Sequence, residues 1–233
     1  ASGAAYQTAD GGHTWNILVM PGKTGASLYF QDKATGFISG YQAIYKTTDG
    51  GITWETIAID KIYYHDYFFI SATNGVAVAN DHDQNRAIWI TTDGGSNWKN
   101  VFNEANYYIH SVWFTTESTG WAAGYYDLDG VNHEPVILES TDGGLTWKDI
   151  YHNTDVSGEG EELLDIRFKN EKEGFAISNL ADDVFTTDGG LNWTRTYDSK
   201  TFGLPEYGGI YSTLGGLNEM YITGSEGYLV KWK

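Results

Sequence analysis

The sequence predicts an all-β protein made of repeated four-stranded units. One eight-residue motif occurs five times in 233 residues, and its aspartates recur every 39 to 49 residues. A period of that length accommodates four strands with their turns and indicates a repeat architecture. Between the motifs lie short apolar runs that are bounded by turn residues and lack helical periodicity, and such runs are typical of strands.

The repeated motif has the chemistry of a tight turn. Its consensus is Ser/Thr-x-Asp-Gly-Gly-x-Thr/Asn-Trp. Asp and Thr side chains hydrogen-bond to nearby backbone groups and close turns, paired glycines permit positive φ, and the Trp ring is expected to fold back over the turn. The copies span 8–15, 47–54, 91–98, 140–147 and 186–193.

Five in-phase copies of this motif resemble the Asp-box (BNR) repeat, which occurs in sialidases, xyloglucanases, sortilin-type receptors and photosystem II stability/assembly-factor-like proteins. The repeat spacing and the Gly-x-x-x-Gly pattern of 36–40 and 120–124 are most similar to the last group. The resemblance implies a β-propeller in which the box is a structural turn of each blade and not a catalytic element. It assigns that structural role to Asp10, Asp49, Asp93, Asp142, Asp188, Trp15, Trp54, Trp98, Trp147 and Trp193.

Each repeat is expected to supply strand A, a turn that ends in glycine, strand B, a connection, strand C, the box and strand D. A phenylalanine column precedes a glycine column by six residues, and these positions are Phe30, Phe69, Phe114 and Phe168 with Gly36, Gly75, Gly120 and Gly174. The predicted blades are 27–58, 66–102, 111–151 and 165–197.

The fifth blade is predicted to be split between the two ends of the chain. Residues 209–232 supply A-, B- and C-like strands, and residues 4–19 supply a box followed by a D-like strand. Joining them would close a single five-bladed propeller domain over 1–233 and remove exposed sheet edges. Residues 4–7 also look like a strand C, so either one copy of that strand is displaced or the chain is an excerpt of a longer ring.

Function is expected at the end of the blades opposite the boxes. Antiparallel strands place the A–B turns and the boxes at one uniform end, and the B–C and D–A connections at a variable end. The predicted D–A connections are 18–26, 58–65, 102–110, 151–164 and 197–208, and the B–C connections are 80–86, 125–135, 179–183 and 225–227.

The candidate binding face lies at this variable end of blades 2 and 3. Tyrosines stack on sugars and also anchor protein interfaces. A surface without a ligand, a face of aromatic rings and carboxylates, and a histidine metal site remain open alternatives, although no spacing is a recognised metal-ligand motif. The face comprises Tyr63, Tyr64, His65, Asp81, His82, Tyr107, Tyr108, His110, Tyr125, Tyr126 and Asp127.

The loop that begins at Asp127 offers a second metal hypothesis. Its acidic residues, which run to Glu134, superficially resemble a calcium loop. The glycine of the loop stands two positions early for an EF-hand. We therefore predict no metal and no cofactor for the protein.

Charge and composition limit the classes of partner that the protein is expected to bind. The net charge of −17 disfavours nucleic acid and anionic membranes. No run reaches the ~18 apolar residues of a membrane span, so no membrane insertion is expected. The sequence contains no cysteine. A start at Ala1-Ser-Gly-Ala is compatible with a mature end, and we expect a secreted or periplasmic monomer.

Two functions compete at the predicted face. The favoured one is a non-catalytic binding or assembly module for a glycan or a protein. The alternative is a glycoside hydrolase, which needs two suitably spaced carboxylates on the same face. Whether the protein is an enzyme thus stays open, with the balance towards no. The candidate carboxylates are Asp66, Asp81, Asp83, Asp127, Asp129, Glu134 and Asp182.

Overall fold

The structure is a computed structural model that describes residues 5–8, 10, 12–18, 24–40, 43–59, 63–80, 86–154, 160–179, 183–195, 210–216, 219–224 and 229–232. This part of the chain contains 21 strands and no helix, hence none that could cross a membrane. The predicted all-β class is confirmed. The chain forms two compact units, Ala1–Asn100 and Val101–Lys233.

The first unit contains a hairpin and two four-stranded sheets. The hairpin pairs β1 with β2, and the sheets have the orders β3-β4-β5-β6 and β7-β8-β9-β10. The strands are β1 (Ala5–Gln7), β2 (Asn16–Leu18), β3 (Thr24–Phe30), β4 (Gly36–Gly40), β5 (Ala43–Thr47), β6 (Glu55–Ile59), β7 (Tyr63–Phe69), β8 (Gly75–Asn80), β9 (Arg86–Thr91) and β10 (Lys99–Phe102), the last of which crosses into the second unit.

The second unit contains two four-stranded sheets and one three-stranded sheet. Their orders are β11-β12-β13-β14, β15-β16-β17-β18 and β19-β20-β21. The strands are β11 (Tyr107–Phe114), β12 (Gly120–Asp127), β13 (His133–Ser140), β14 (Lys148–His152), β15 (Leu163–Phe168), β16 (Gly174–Ser178), β17 (Val184–Thr186), β18 (Thr194–Arg195), β19 (Ile210–Gly216), β20 (Glu219–Gly224) and β21 (Leu229–Trp232).

The four complete sheets follow the predicted A–B–C–D order, and we call them blades 1 to 4. They start at residues 24, 63, 107 and 163, each a few residues earlier than predicted. The C-terminal sheet supplies the predicted A-, B- and C-like strands as β19 to β21. The N-terminal strand β1 also holds a strand-C position, as β21 does. These sheets are consistent with a five-bladed propeller. Closure of the ring and the presence of a single domain stay predictions.

The predicted loop boundaries 58–65, 102–110 and 125–135 were too wide. Tyr63 and Tyr107 begin strands, and β12 continues to Asp127 before β13 resumes at His133. Blade 3 shows the reason, because aromatic residues pair across the ladder there and prolong it: Tyr107 faces Tyr126. Such cross-strand aromatic pairs stabilise sheets. The candidate residues of blade 3 therefore lie on rigid strands.

Strand A carries a bulge at the same repeat position in three blades and in the terminal sheet. The register shifts between Tyr64 and Asp66, and between Ile109 and Ser111, so a histidine is left out of each ladder. Bulges bend a strand and redirect a side chain. The residues left out are His65, His110, Leu164 and Tyr211.

Each box is closed by its own side chains, as the second box shows. The Thr47 hydroxyl donates to Asp49 Oδ1 over 2.8 Å and accepts the Gly51 N–H over 2.8 Å. The Thr53 hydroxyl donates to Asp49 Oδ2 over 2.6 Å, and the Trp54 indole N–H donates to the Gly51 carbonyl over 3.0 Å. In the other four boxes, the hydroxyl of the first residue likewise donates to Oδ1 of the aspartate. The Thr hydroxyl or Asn amide at the seventh position donates to Oδ2 of the same aspartate.

Hydrogen bonds to the ionised carboxylate shift the titration of the box aspartates. The Thr53 side chain and backbone lower the pKa of Asp49 to about 2, and Thr14 does the same for Asp10. The pKa is lowered for the same reason in the other three boxes. A carboxylate that accepts several bonds favours its charged form.

A phenylalanine ring explains the glycine column. In blade 4, Phe168 lies directly opposite Gly174 in the ladder, and a Cβ on that glycine would meet the ring at 2.6 Å. Trp193 of the box stands edge-on to Phe168 at 5.9 Å. The same Phe–Trp contact occurs in blades 1 to 3 at 6.0 to 6.2 Å.

Neighbouring blades of one unit are joined by stacked rings. Phe37 of blade 1 stacks on Phe69 of blade 2 at 3.8 Å. Trp121 of blade 3 stacks on Phe168 of blade 4 at 3.7 Å. Phe37 and Trp121 follow equivalent glycines, and both are at most 1% exposed. The hydrophobic core of each unit is thus continuous between adjacent sheets.

Gly174→Ala is expected to destabilise the protein by about 1–3 kcal/mol, because the new methyl group overpacks the site beneath Phe168. Urea denaturation followed by tryptophan fluorescence measures the effect. Lys172→Ala is the matched control, since that exposed side chain lies two residues away in the turn. Equal midpoints for the two variants would contradict the packing argument.

Asp49 is expected to titrate near pH 2 by NMR, below its usual value of 3.8. Thr53→Val removes the largest cause and should move the titration upward. Because the folded-state pKa is depressed, the stabilisation is present above pH 3.8 and is lost as the pH falls towards 2. Thr56→Val, an exposed change in β6, is the control, and an unmoved Asp49 titration in Thr53→Val would refute the assignment.

Candidate functional site

The structure separates the predicted face into two groups. Tyr63, Tyr64 and His65 lie in β7 of the first unit, while the residues from Tyr107 onward lie in β11 and β12 of the second. Both groups occupy the strand ends remote from the boxes. Asp81 and His82 lie outside the described residues. The geometry below concerns the second group and its partners, which we call the blade 3 face: Tyr107, Tyr108, His110, Tyr125, Tyr126, Asp127, His133, Glu134, Asp149, His152 and Glu162.

Three rings form a stack on one side of the blade 3 sheet. Tyr108 lies parallel to Tyr125 with ring centroids 4.9 Å apart. The imidazole of His133 covers the other side of Tyr125 at 4.1 Å. Tyr125 is only 7% exposed. Its ring therefore supports Tyr108 and is not itself an open contact surface.

One carboxylate joins blade 3 to the segment that enters blade 4. Glu162 Oε2 lies 3.2 Å from His110 Nε2, and Glu162 Oε1 lies 3.0 Å from His133 Nδ1. The backbone of Glu162 is held in turn, because its N–H donates to Asn179 Oδ1 over 2.9 Å. The Asn179 amide donates to the Gly160 carbonyl over 2.8 Å. Both histidines are thus engaged in a fixed contact between two blades.

A second chain of polar contacts runs along the outer strands of blade 3. The Tyr107 hydroxyl donates to Asp149 Oδ2 over 2.9 Å. His152 bridges two carboxylates, with Nδ1 at 3.1 Å from Asp149 Oδ2 and Nε2 at 2.6 Å from Glu134 Oε2. Tyr126 packs edge-on against Tyr107 at 5.1 Å and is tilted against His152 at 5.4 Å.

Burial and the neighbouring charge perturb one tyrosine of the face. Burial raises the pKa of Tyr107 to about 12, with further contributions from the hydrogen bond to Asp149 and the charge of that carboxylate. The phenol therefore remains a neutral donor throughout the physiological range. A fixed donor of this kind can hold Asp149 in place.

Buried ion pairs lie beneath the face. Arg167 Nη1 is 2.6 Å from Asp165 Oδ1, and the Ser111 hydroxyl of blade 3 donates to the same oxygen over 2.7 Å. Arg195 Nη2 is 2.6 Å from Glu161 Oε2. Asp165 and Glu161 are at most 5% exposed. These two arginines are consequently committed to structural pairs and do not form a cluster open to an anionic ligand.

The loop that resembled a calcium site uses its carboxylates to close itself. Asp127 Oδ1 accepts the Gly130 N–H over 2.6 Å. Asp129 Oδ1 accepts the Asn132 N–H over 2.8 Å, and these bonds lower the pKa of Asp129. Over the described residues, no group of three or more histidine or acidic side chains is arranged to hold a metal ion. The geometry is that of a hairpin turn.

Sequence reasoning missed the partners that organise the face. Glu162, Asp149 and Glu161 carry no motif, and each meets a residue more than 30 positions away or in another strand. One usable signal existed: the tight turn that begins at Asp127 fixes the register of β13 against β12. That register places Asp127 opposite His133, and Tyr126 opposite Glu134.

Comparisons with known proteins support the fold. The BNR/Asp-box repeat family model matches residues 45–56, and no curated protein matches the chain. A YCF48 structure described as bound to D1 peptide is 18% identical, with a TM-score of 0.66 over 98% of this chain and 71% of that one. YCF48 from Cyanidioschyzon merolae is 16% identical, with a TM-score of 0.69 over 98% and 74%.

An ancestral GH74 enzyme is also similar, at 13% identity with a TM-score of 0.62, over 90% of this chain and 31% of that enzyme. At such identities the likeness shows the fold alone. The fold is that of a β-propeller built from Asp-box blades. The predicted resemblance to Asp-box repeat proteins, and to the photosystem II assembly-factor type in particular, is confirmed.

The alkaline titration of Tyr107 tests the geometry of the face. The difference in ultraviolet absorbance between the wild type and Tyr107→Phe should titrate with a midpoint near pH 12. Asp149→Asn should lower this midpoint while leaving it above 10, because burial is the larger cause. Since the raised pKa favours the neutral phenol, its stabilisation is present below pH 10 and is lost as the pH rises towards 12. A midpoint near 10 in the wild type would contradict the described environment.

Proposed function

We propose that this protein is a non-catalytic propeller module that holds a segment of a protein partner at the blade 3 face. The observation that carries the proposal is the aromatic pair of Tyr107 and Tyr126, two partly exposed rings that pack edge-on at 5.1 Å. Tyrosine offers a large contact area for little loss of side-chain entropy, and it is enriched among the residues that dominate binding energy.

The support beneath these rings favours recognition of a defined ligand. On the opposite side of the same strands, Tyr108 rests on Tyr125, which rests on His133. Tyr107 and Tyr126 are fixed by Asp149 and by contact with His152. A surface whose rotamers are already set loses less entropy on binding than a mobile one. The polar network therefore serves to preorganise the aromatic rings.

Charge favours a cationic or neutral segment as the ligand. Residues 101–147 contain no lysine or arginine, and the acidic residues Glu104, Asp127, Asp129 and Glu134 lie at the variable end of the blade. Complementary potentials accelerate association and exclude partners of like charge. A peptide that carries lysine or arginine fits this face better than an acidic peptide or a sialylated glycan.

The state of the carboxylates supports binding over hydrolysis. A glycosidase needs a general acid, usually a carboxyl group with a raised pKa. On the blade 3 face, Glu134 and Asp149 share His152, and Glu162 is held between two histidines.

The fold comparison favours a protein ligand over a glycan. A YCF48 propeller of similar fold has been solved with a D1 peptide, so this scaffold accommodates a peptide. The likeness to the GH74 enzyme spans less than a third of that enzyme. Neither comparison identifies the partner of this chain, and the proposal therefore rests on the geometry of the face.

The test is selection of a displayed library of random 12-residue peptides on the wild-type protein. We expect enriched peptides that bind through the blade 3 face and lose at least about tenfold in affinity with Tyr126→Ala, as for a hot-spot aromatic residue. Tyr6→Ala is the control, because Tyr6 is 55% exposed on β1 of the other unit. Unfolding midpoints of both variants confirm that they are folded.

Four outcomes would overturn the proposal. The first is no enriched peptide, and the second is binding that Tyr126→Ala leaves unchanged. The third is found with a parallel array of neutral glycans: glycan binding lost in Tyr126→Ala, without peptide binding, would replace the protein partner by a sugar. Turnover of a glycoside by the wild type, abolished by Glu134→Gln, would establish the hydrolase alternative.

A further inference from the structure

We propose that the tip of the β12–β13 hairpin, residues 128–132, is the element that engages the partner, by burying Leu128 and Val131 against apolar side chains that stand beside lysine or arginine. This inference rests on the proposed function of the blade 3 face. It adds which segment of this chain contacts the partner and which side chains the partner's surface carries.

The tip exposes two large apolar side chains at the variable end. Leu128 is 48% exposed and Val131 is 58% exposed. In the described residues of the second unit, the other exposed large apolar side chains are Leu145 and Leu191, which stand at equivalent positions in boxes at the opposite end. Single exposed apolar residues are common on protein surfaces. Here two of them share one projecting loop.

The hairpin projects because its strands are long. β12 and β13 each contain eight residues, whereas β16 and β17 of blade 4 contain five and three. β12 and β16 both begin at the glycine beneath the phenylalanine ring, so the extra length of β12 lies at the variable end. Three additional residues in a strand correspond to about 10 Å. The tip therefore reaches beyond the strand ends of its neighbour.

The tip is rigid despite its exposure. The Leu128 N–H donates to the Asn132 carbonyl over 3.0 Å, and the Asp127 N–H donates to the Asn106 carbonyl over 2.8 Å. Asp129 Oδ1 accepts the Val131 N–H over 3.1 Å, and its second oxygen accepts the Asn132 side-chain amide over 2.8 Å. A loop that is closed in this way loses little conformational entropy when it binds.

The summit of the loop is open to a partner. Gly130 has a φ of +85°, and a Cβ placed on it would meet no atom within 4 Å. Leu128 and Val131 flank this open point in the sequence. The acidic residues Asp127 and Asp129 stand within the same loop, and residues 101–147 contain no lysine or arginine. An apolar contact with a cationic rim is the surface that complements this tip.

The experiment uses the full chain and the peptides that the library selection enriches on the wild-type protein. Leu128→Ser/Val131→Ser is compared with Leu145→Ser, whose side chain is 55% exposed in the box of the same blade. We expect the tip variant to lose at least about tenfold in affinity for these peptides, and the control to bind as the wild type does. The enriched peptides should combine apolar residues with lysine or arginine, and their affinity should fall as salt is added.

The outcomes separate this inference from the proposed function. Peptides that bind the tip variant as tightly as the wild type, yet are lost with Tyr126→Ala, overturn the role of the tip and leave the blade 3 face as the binding site. Peptides without basic residues, or with salt-independent affinity, overturn the chemistry assigned to the partner. Failure to enrich any peptide overturns both. Because the three changed residues are exposed, equal unfolding midpoints for the variants are expected and show that the comparison reports on binding.

Discussion

The close approach of a phenylalanine ring to a glycine is the contact on which the blades depend. Phe168 occupies the space that a side chain at position 174 would fill, and the box tryptophan packs edge-on to the same ring. The first box glycine then donates its N–H to a carbonyl of the A–B turn, as Gly189 does to Lys172 over 2.9 Å. Turn, ring and box thereby form one interlocked end, which leaves little freedom for variation there. Chemical diversity is concentrated at the other end of the strands, where the side chains are not bound by this constraint.

Much of the fold could be predicted because its determinants are local. A box closes through residues at most four positions apart, such as Thr47 with Gly51, so its sequence alone specifies its geometry. The candidate site is different. Whether Tyr107 begins a strand or ends a loop depends on Tyr126, nineteen residues later, and the pairing of Glu162 with His110 crosses from one blade to the next. Long-range contacts of this kind leave no periodic trace in the sequence. The residue types at the variable end were therefore predictable, whereas their partners and burial were not.

Acidic and histidine side chains at a predicted binding end suggest catalysis or metal binding when they are considered one at a time. In the structure they satisfy one another. His152 lies between Glu134 and Asp149, and His110 and His133 share Glu162. Pairing of this kind offsets the cost of partial burial and holds the aromatic rings in position. A cluster of reactive residue types can thus be a mechanical support for a neighbouring surface. In such a support the polar atoms face each other, whereas in a catalytic or metal-binding site they face an open volume.

The bulge in strand A has a consequence for how such proteins diversify. The residue that it leaves out of the ladder is histidine in two blades, leucine in blade 4 and tyrosine in β19. The flanking residues keep their partners whichever side chain stands at the bulge, so its identity is uncoupled from strand register. The strand can therefore carry a different side chain at this point in each of these four sheets without a change of register. In blade 3 that side chain is His110, which pairs with Glu162, so one repeat can form a contact with its neighbour that the other repeats lack while the scaffold keeps the same strand pairing.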